Sequence, residues 1–259
     1  GRMNTSMRDE QPVTFWHRPD SMNRTADLLF VAALLLAVYG ALLYVVRLPI
    51  FPIRQLQVTG SVTHVTREQI ENVARREMKG NFFTIDLAEA RRGFEKLPWV
   101  RAVQIRRHWP SRLDVAFEEH VPLARWGGVA LVNLQGEVFE AAFDGALPVF
   151  IGPPGTAKEI AIQYELFRRR LTEIGKRPVQ VQLNQRQAWQ VKLDDGAVLE
   201  LGREQIEARL SRFLAAYERT VAPLKRRVEY IDLRYANGFA VRIPELRQDK
   251  GAAAGSRRG

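Results

Sequence analysis

A chain of 259 residues with 46% hydrophobic and 26% charged residues has the composition of folded protein, long enough for one large or two small domains. The formal charge of +10 admits nucleic acid, an anionic membrane surface or an acidic protein as partner. The absence of cysteine excludes disulfides, thiolate nucleophiles and cysteine-ligated zinc.

Residues 1–27 form a polar tail in which four arginines balance four carboxylates. Residues 28–46 then run for 19 positions without a charge. As a helix rising about 1.5 Å per residue this stretch covers roughly 28 Å, close to the hydrocarbon thickness of a bilayer. A buried core helix would show a polar face, and a cleaved signal peptide would be shorter with small residues after it. Here Arg47, Leu48, Pro49, Ile50 and Phe51 follow, so an uncleaved anchor is the expectation. Arg8, Arg18 and Arg24 precede the span while Arg47 and Arg54 follow it, a bias that points the short tail to the cytoplasm.

Residues 51–120 read as strand, helix, helix, strand, strand. Leu56 and Val58 alternate with polar neighbours up to Gly60, and Thr66 with Gln69 is a capping-box pair opening a helix toward Met78. Leu87 to Leu97 forms a second helix stopped by Pro98. Val100, Val103 and Ile105 begin a strand, and a turn at Pro110-Ser111 leads to the alternating Leu113, Val115 and Phe117. Residues 121–245 read as a second, mixed β unit. Its strands are expected at 130–133, 138–140, 179–183, 189–193 and 198–201, its helices at 157–174, with Thr156 as cap, and 204–220. A strand from Val228 to Tyr235, a two-residue turn at Asn237-Gly238 and a closing strand from Phe239 to Ile243 complete it. Pro244 ends the pairing, residues 251–259 are small and basic, and residues 246–259 are expected to form a disordered tail. The fold class is therefore α+β behind a single transmembrane helix.

No catalytic constellation emerges. His17, His64, His108 and His120 are scattered, and neither a His-Glu-x-x-His pair nor a Gly-x-Ser-x-Gly elbow occurs. The stretch Gly152 to Lys158 has the wrong spacing for a phosphate loop, and Pro153 and Pro154 lack backbone donors, so it reads as a turn entering a helix. Asp194-Asp195-Gly196 reads as a hairpin turn, and Glu118-Glu119-His120 as a solvated junction at a strand end. The basic runs Arg168-Arg169-Arg170 and Lys225-Arg226-Arg227 read as solvated faces or as contacts for acidic lipid or an acidic partner. No enzyme, metal or cofactor is expected, and a chain exported behind residues 28–46 has no access to nucleic acid.

Three stretches carry a family resemblance. Phe51, Pro52 and Ile53 follow directly on the anchor. Then come Pro98-Trp99-Val100, Ala102, Val103, Arg107, Trp109-Pro110, Leu113, Val115, Glu119, Pro122, Ala124 and Trp126; the third stretch is Asp232 to Tyr235 with Asn237-Gly238, Phe239 and Ala240. Together with Leu201-Gly202-Arg203, the pattern resembles the FtsQ/DivIB family of bacterial cell-division proteins over about residues 25–245. The resemblance implies a short cytoplasmic tail, one inner-membrane helix of type II orientation, a POTRA domain and a β-domain outside the membrane. It implies a non-enzymatic scaffold, concentrated at the division septum, that links early and late division proteins and helps control septal peptidoglycan synthesis. The implied partners are FtsB and FtsL, with FtsB adding a strand beside the last strand of the β-domain, and other division proteins through the POTRA part. Matched residue by residue, the implied contact positions are Arg234, Tyr235, Asn237, Gly238 and Phe239, the last standing where a smaller residue is expected. Arg186, three residues before Trp189, matches a basic contact position. The residues themselves point the same way, since a last strand at a sheet edge offers free backbone groups to another strand. A POTRA-bearing component of a secretion or outer-membrane assembly system is the competing reading.

Overall fold

A computed structural model describes residues 19–60 and 62–244. Most of the expected cytoplasmic tail and all of the expected disordered tail at 246–259 lie outside the described residues. The first element, α1 (Pro19–Arg47), is a continuous helix. Its segment Asn23–Arg47 has 25 residues, about 37 Å of helix, and none of it is buried against the rest of the chain. It is therefore no core helix of this fold, and it fits a single transmembrane span.

Beyond a short connection lie β1 (Gln55–Thr59), α2 (Arg67–Glu77), α3 (Leu87–Glu95), β2 (Val100–His108) and β3 (Arg112–Glu119). The strand order is β1-β3-β2, with β1 parallel to β3 and β2 antiparallel to it. The capping box opens α2 as expected: Thr66 Oγ1 accepts from Gln69 N–H and the Gln69 side chain accepts from Thr66 N–H. The amphipathic faces of both helices turn Ile70, Val73 and Phe94 onto Val100, Val103, Val115 and Phe117 of the sheet.

The second sheet contains β4 (Pro122–Trp126), β5 (Ala130–Asn133), β6 (Val138–Phe139), β7 (Val149–Ile151), β8 (Pro178–Leu183), β9 (Trp189–Leu193), β10 (Val198–Gly202), β11 (Tyr230–Asp232) and β12 (Ala240–Arg242). Its order is β12-β11-β10-β9-β8-β7-β4-β5-β6. Parallel neighbours need a crossover, and the helices supply two of them. The helix α4 (Ala157–Thr172) bridges the parallel pair β7 and β8, and α5 (Ile206–Thr220) bridges β10 and β11. Ile160, Tyr164, Phe167 and Leu171 of α4, with Leu210 and Phe213 of α5, bury the same core against the sheet. The strands β4 and β7 were not among the expected ones. The first begins on a proline, as an edge or starting position permits, and the second has three residues, too few to show alternation.

Two local expectations are corrected. Thr156 precedes α4 but does not cap it; its hydroxyl instead donates to Pro153 O. Of Glu118-Glu119-His120, Glu118 is exposed as expected, but Glu119 and His120 pack into a seam rather than a solvated junction. The Glu119 side chain is only 7% exposed, and its carboxylate accepts from the N–H groups of Thr63, His64 and Val65. His120 stacks on Phe139 at 4.1 Å, and Trp99 meets Phe139 edge-on at 5.5 Å. Leu131 and Phe139 of the second sheet thus join the hydrophobic core of the first. Arg101 adds a polar stitch, reaching Glu118 at 2.8 Å and Glu137 at 2.9 Å.

Candidate functional site

The closing strand lies at one end of the nine-stranded sheet. On one side β12 pairs antiparallel with β11, in the register Tyr230 to Arg242, Ile231 to Val241 and Asp232 to Ala240. Among the described residues no strand covers its other side. Val241 is half-buried over the core, while Ala240 and Arg242 are exposed. The guanidinium of Arg242 sits 5.3 Å from the Tyr230 ring centroid, so the outer strand is held by a cation–π contact as well as by its ladder.

The connection between β11 and β12 departs from the expected two-residue hairpin. It comprises the seven residues from Leu233 to Phe239, and neither Asn237 nor Gly238 has the positive φ that such a turn demands at both positions. Several interactions end β11 early. Asp232 accepts from Arg234 N–H at 3.0 Å, and its carboxylate takes Arg234 Nε at 2.9 Å and Arg234 Nη2 at 2.7 Å. Leu233 turns inward and is 1% exposed. Arg212 of α5 donates to Ala236 O and reaches Tyr235 O at 3.4 Å. Phe239 packs edge-on against Phe213 at 5.5 Å. The loop is pinned at both ends, and Asn-Gly falls on its outer bend.

These contacts sort the expected partner residues. Tyr235 is 57% exposed and, with Ala236, Asn237, Gly238, Phe239 and Ala240, lines a shallow hollow beside the outer strand. Phe239 is half-buried and belongs as much to the core as to the surface. Arg234 is paired within the chain: the Asp232 carboxylate raises its already high pKa, and the Arg234 guanidinium in turn holds Asp232 below the usual carboxylate range. Arg186 lies in the turn between β8 and β9, where its N–H donates to Asn184 Oδ1, and its side chain is exposed without an ion pair among the described residues. That turn sits at the same end of the sheet as the closing loop. The intervening strands separate the two by roughly three strand spacings, about 14 Å.

Sequence reasoning assigned no part in holding the loop to Asp232, Arg212 or Phe213. The first carried a signal, because residues two apart on a strand share a face and can pair. The others come from α5, where helical periodicity marks Phe213 as core-facing but does not say that it meets Phe239, and nothing local singles out Arg212.

Two family models match the chain: "POTRA domain, FtsQ-type" at residues 51–120 and "Cell division protein FtsQ/DivIB, C-terminal" at residues 124–234. The second match ends at Arg234, so the outer bend and β12 lie just beyond it. The cell division protein FtsQ of Nitrosospira multiformis is 45% identical over 232 residues, covering 88% of this chain and 98% of the relative. That of Burkholderia pseudomallei is 37% identical over 239 residues, covering 90% and 96%, and that of Neisseria gonorrhoeae is 34% identical over 229 residues, covering 88% and 94%. With matches of this extent on both extramembrane units, the chain belongs to the FtsQ/DivIB family of cell-division proteins.

Proposed function

We propose that this chain is a non-enzymatic scaffold of the divisome whose outer strand β12 takes an added strand from FtsB, within the FtsB–FtsL pair. The observation that carries the reading is the open side of β12 beside an exposed Tyr235, in a chain of a cell-division family. An unpaired strand side offers alternating N–H and C=O groups that only another backbone satisfies in register. Tyr235 supplies a large apolar contact beside that edge, and Arg186 is a cation free to meet a partner carboxylate. Arg234 acts chiefly by shaping the loop through Asp232, and Asn237 and Gly238 form the bend over which an added strand passes.

In this reading the chain sits in the inner membrane with its bulk in the periplasm, at the division septum. There it joins early to late division proteins and helps control septal peptidoglycan synthesis. The unit at 51–120 meets further division proteins, the unit at 121–245 meets FtsB, and no nucleic acid or cofactor takes part.

The test measures binding of the extracytoplasmic segment of the organism's FtsB to the full chain in nanodiscs. Tyr235→Ala is expected to weaken binding by about tenfold or more, the scale of a central anchor residue, with unchanged circular dichroism. Truncation after Glu229 removes β11 and β12 and is expected to abolish binding. Undiminished binding by the truncated chain refutes the edge-strand reading.

A further inference from the structure

The span and the first sheet are joined by a network of hydrogen bonds that gives the chain a defined membrane-facing rim. Asn81, 6% exposed, donates through Nδ2 to Val46 O at 2.8 Å and Leu48 O at 2.9 Å, at the end of α1. Its Oδ1 accepts from Phe83 N–H and Thr84 N–H, so one side chain ties the α2–α3 loop to the helix terminus. Phe82 N–H donates to Phe51 O. Arg107 of β2 then reaches over this loop, donating to Phe82 O at 2.9 Å and Ile85 O at 2.7 Å. Ser111 O, in the β2–β3 turn, accepts from Arg54 N–H.

Strand direction settles where that turn points. The chain leaves α1 and runs outward along β1, and β3 is parallel to β1 with Arg112 level with Gln55. The turn that precedes Arg112 therefore projects back toward the end of α1, carrying Trp109 at its tip. Trp109 is 78% exposed. Among the described residues outside α1, the exposed aromatic side chains are Phe83, Trp109 and Tyr235, and the first two lie on this rim. Ile50, 61% exposed, lies there too.

The rim is predominantly basic. Segments 47–54, 79–86 and 104–114 together hold six basic residues (Arg47, Arg54, Lys79, Arg106, Arg107, Arg112) against Asp86 and Asp114. Asp86 is engaged in capping α3, and Asp114 is paired with both His108 and Arg112. Arg47, Arg54, Lys79 and Arg106 are exposed and make no ion pair among the described residues. An exposed tryptophan with flanking cations, tied to the end of a span, has the chemistry of an interfacial anchor: the indole prefers the headgroup level and cations are drawn to anionic lipid.

We infer that the β2–β3 turn and the α2–α3 loop rest on the anionic headgroups of the leaflet that α1 leaves, with Trp109 inserted at the interface. This holds the first sheet at a fixed height and tilt over the membrane. It rests on α1 crossing the bilayer.

A chain free of cysteine allows single labels. Ser111→Cys at the tip and Thr59→Cys at the far end of β1 carry an environment-sensitive fluorophore, with the full chain in nanodiscs containing a headgroup-level quencher. In phosphatidylglycerol and phosphatidylcholine at about one to two, the label at Ser111 is expected to be quenched at least about twofold more than that at Thr59. The excess should fall in phosphatidylcholine alone and fall further in Trp109→Ser combined with Arg106→Ser, although the bond from Arg54 N–H to Ser111 O still keeps the turn near the end of α1. Neither side chain belongs to the core, so circular dichroism stays unchanged. Equal quenching at the two positions, or an excess that both substitutions leave unchanged, overturns the inference. A third label, Leu36→Cys, reports on the span with an acyl-chain quencher. If it is not quenched, α1 does not cross the bilayer, and the inference falls for that separate reason.

Discussion

Replacing Glu119 by alanine removes the acceptor that holds the segment before α2 against the end of β3. Its carboxylate takes three backbone N–H groups, at 3.0 Å from Thr63, 3.0 Å from His64 and 2.9 Å from Val65, with His64 Nδ1 at 3.2 Å. Val65 is buried, so its N–H is stranded when the carboxylate goes, at a cost of about 1.5–3 kcal/mol for a bond to a charged group. Thr63 and His64 are exposed and regain water, so their bonds are worth about 0.5 kcal/mol each, the low end of the range. The sum is about 3 kcal/mol, which for a folded part of this size lowers Tm by roughly 6–12 °C. Glu119→Gln keeps one accepting oxygen and should lose about half as much. Burial alone would raise the Glu119 pKa, but the N–H groups of Val65, Thr63 and His64 outweigh it and hold the carboxyl below its ordinary value. Because the folded pKa is the lower one, the stabilisation is complete above the unfolded glutamate value and is lost as pH falls through the folded one. Thermal unfolding of the full chain in nanodiscs across that acid range, with hydrogen exchange of the peptide containing Thr63 to Val65, measures both effects. Unchanged exchange there, together with a Tm shift of less than about 2 °C in Glu119→Ala, refutes the reasoning.

Other substitutions separate structural from partner-facing residues. Phe239→Ala removes a half-buried ring from Phe213 and should cost about 2 kcal/mol in thermal unfolding, whereas exposed Tyr235→Ala should change stability by no more than about 0.5 kcal/mol. Asp232→Asn breaks the bidentate pair with the half-exposed Arg234; the expected loss is about 1 kcal/mol, with faster hydrogen exchange in the loop from Leu233 to Phe239. Gly60→Ala should destabilise by about 2–4 kcal/mol in denaturant unfolding, because φ is +107° and a Cβ would lie 2.3 Å from Phe117 O. Asn81→Ala frees the end of α1 from the α2–α3 loop, and limited trypsin digestion should then cut faster at Arg47 and Arg54.

Local chemistry was enough to read much of this protein from its residues. The charge-free run at 28–46, the capping box at Thr66, the alternation of Leu113, Val115 and Phe117, and the turn at Asp194-Asp195-Gly196 all act within a few residues, and each appears in the structure. The signature around Trp99 and Trp109-Pro110 carried the family resemblance. Tertiary structure alone decided what depends on distant partners. Glu119 meets residues more than fifty positions away, which makes a buried latch of what local sequence presents as a charged strand end. Asn237-Gly238 has the composition of a tight hairpin, yet Arg212 and Phe213 from α5 and the pairing of Arg234 with Asp232 hold a seven-residue loop instead. The open side of β12 follows from the order of nine strands, and the rim that carries Trp109 follows from β1 and β3 running parallel. Periodicity reports which face of an element is apolar; which element that face meets is set by pairings between segments far apart in the chain, where loop entropy and packing choose among partners that local sequence leaves equivalent.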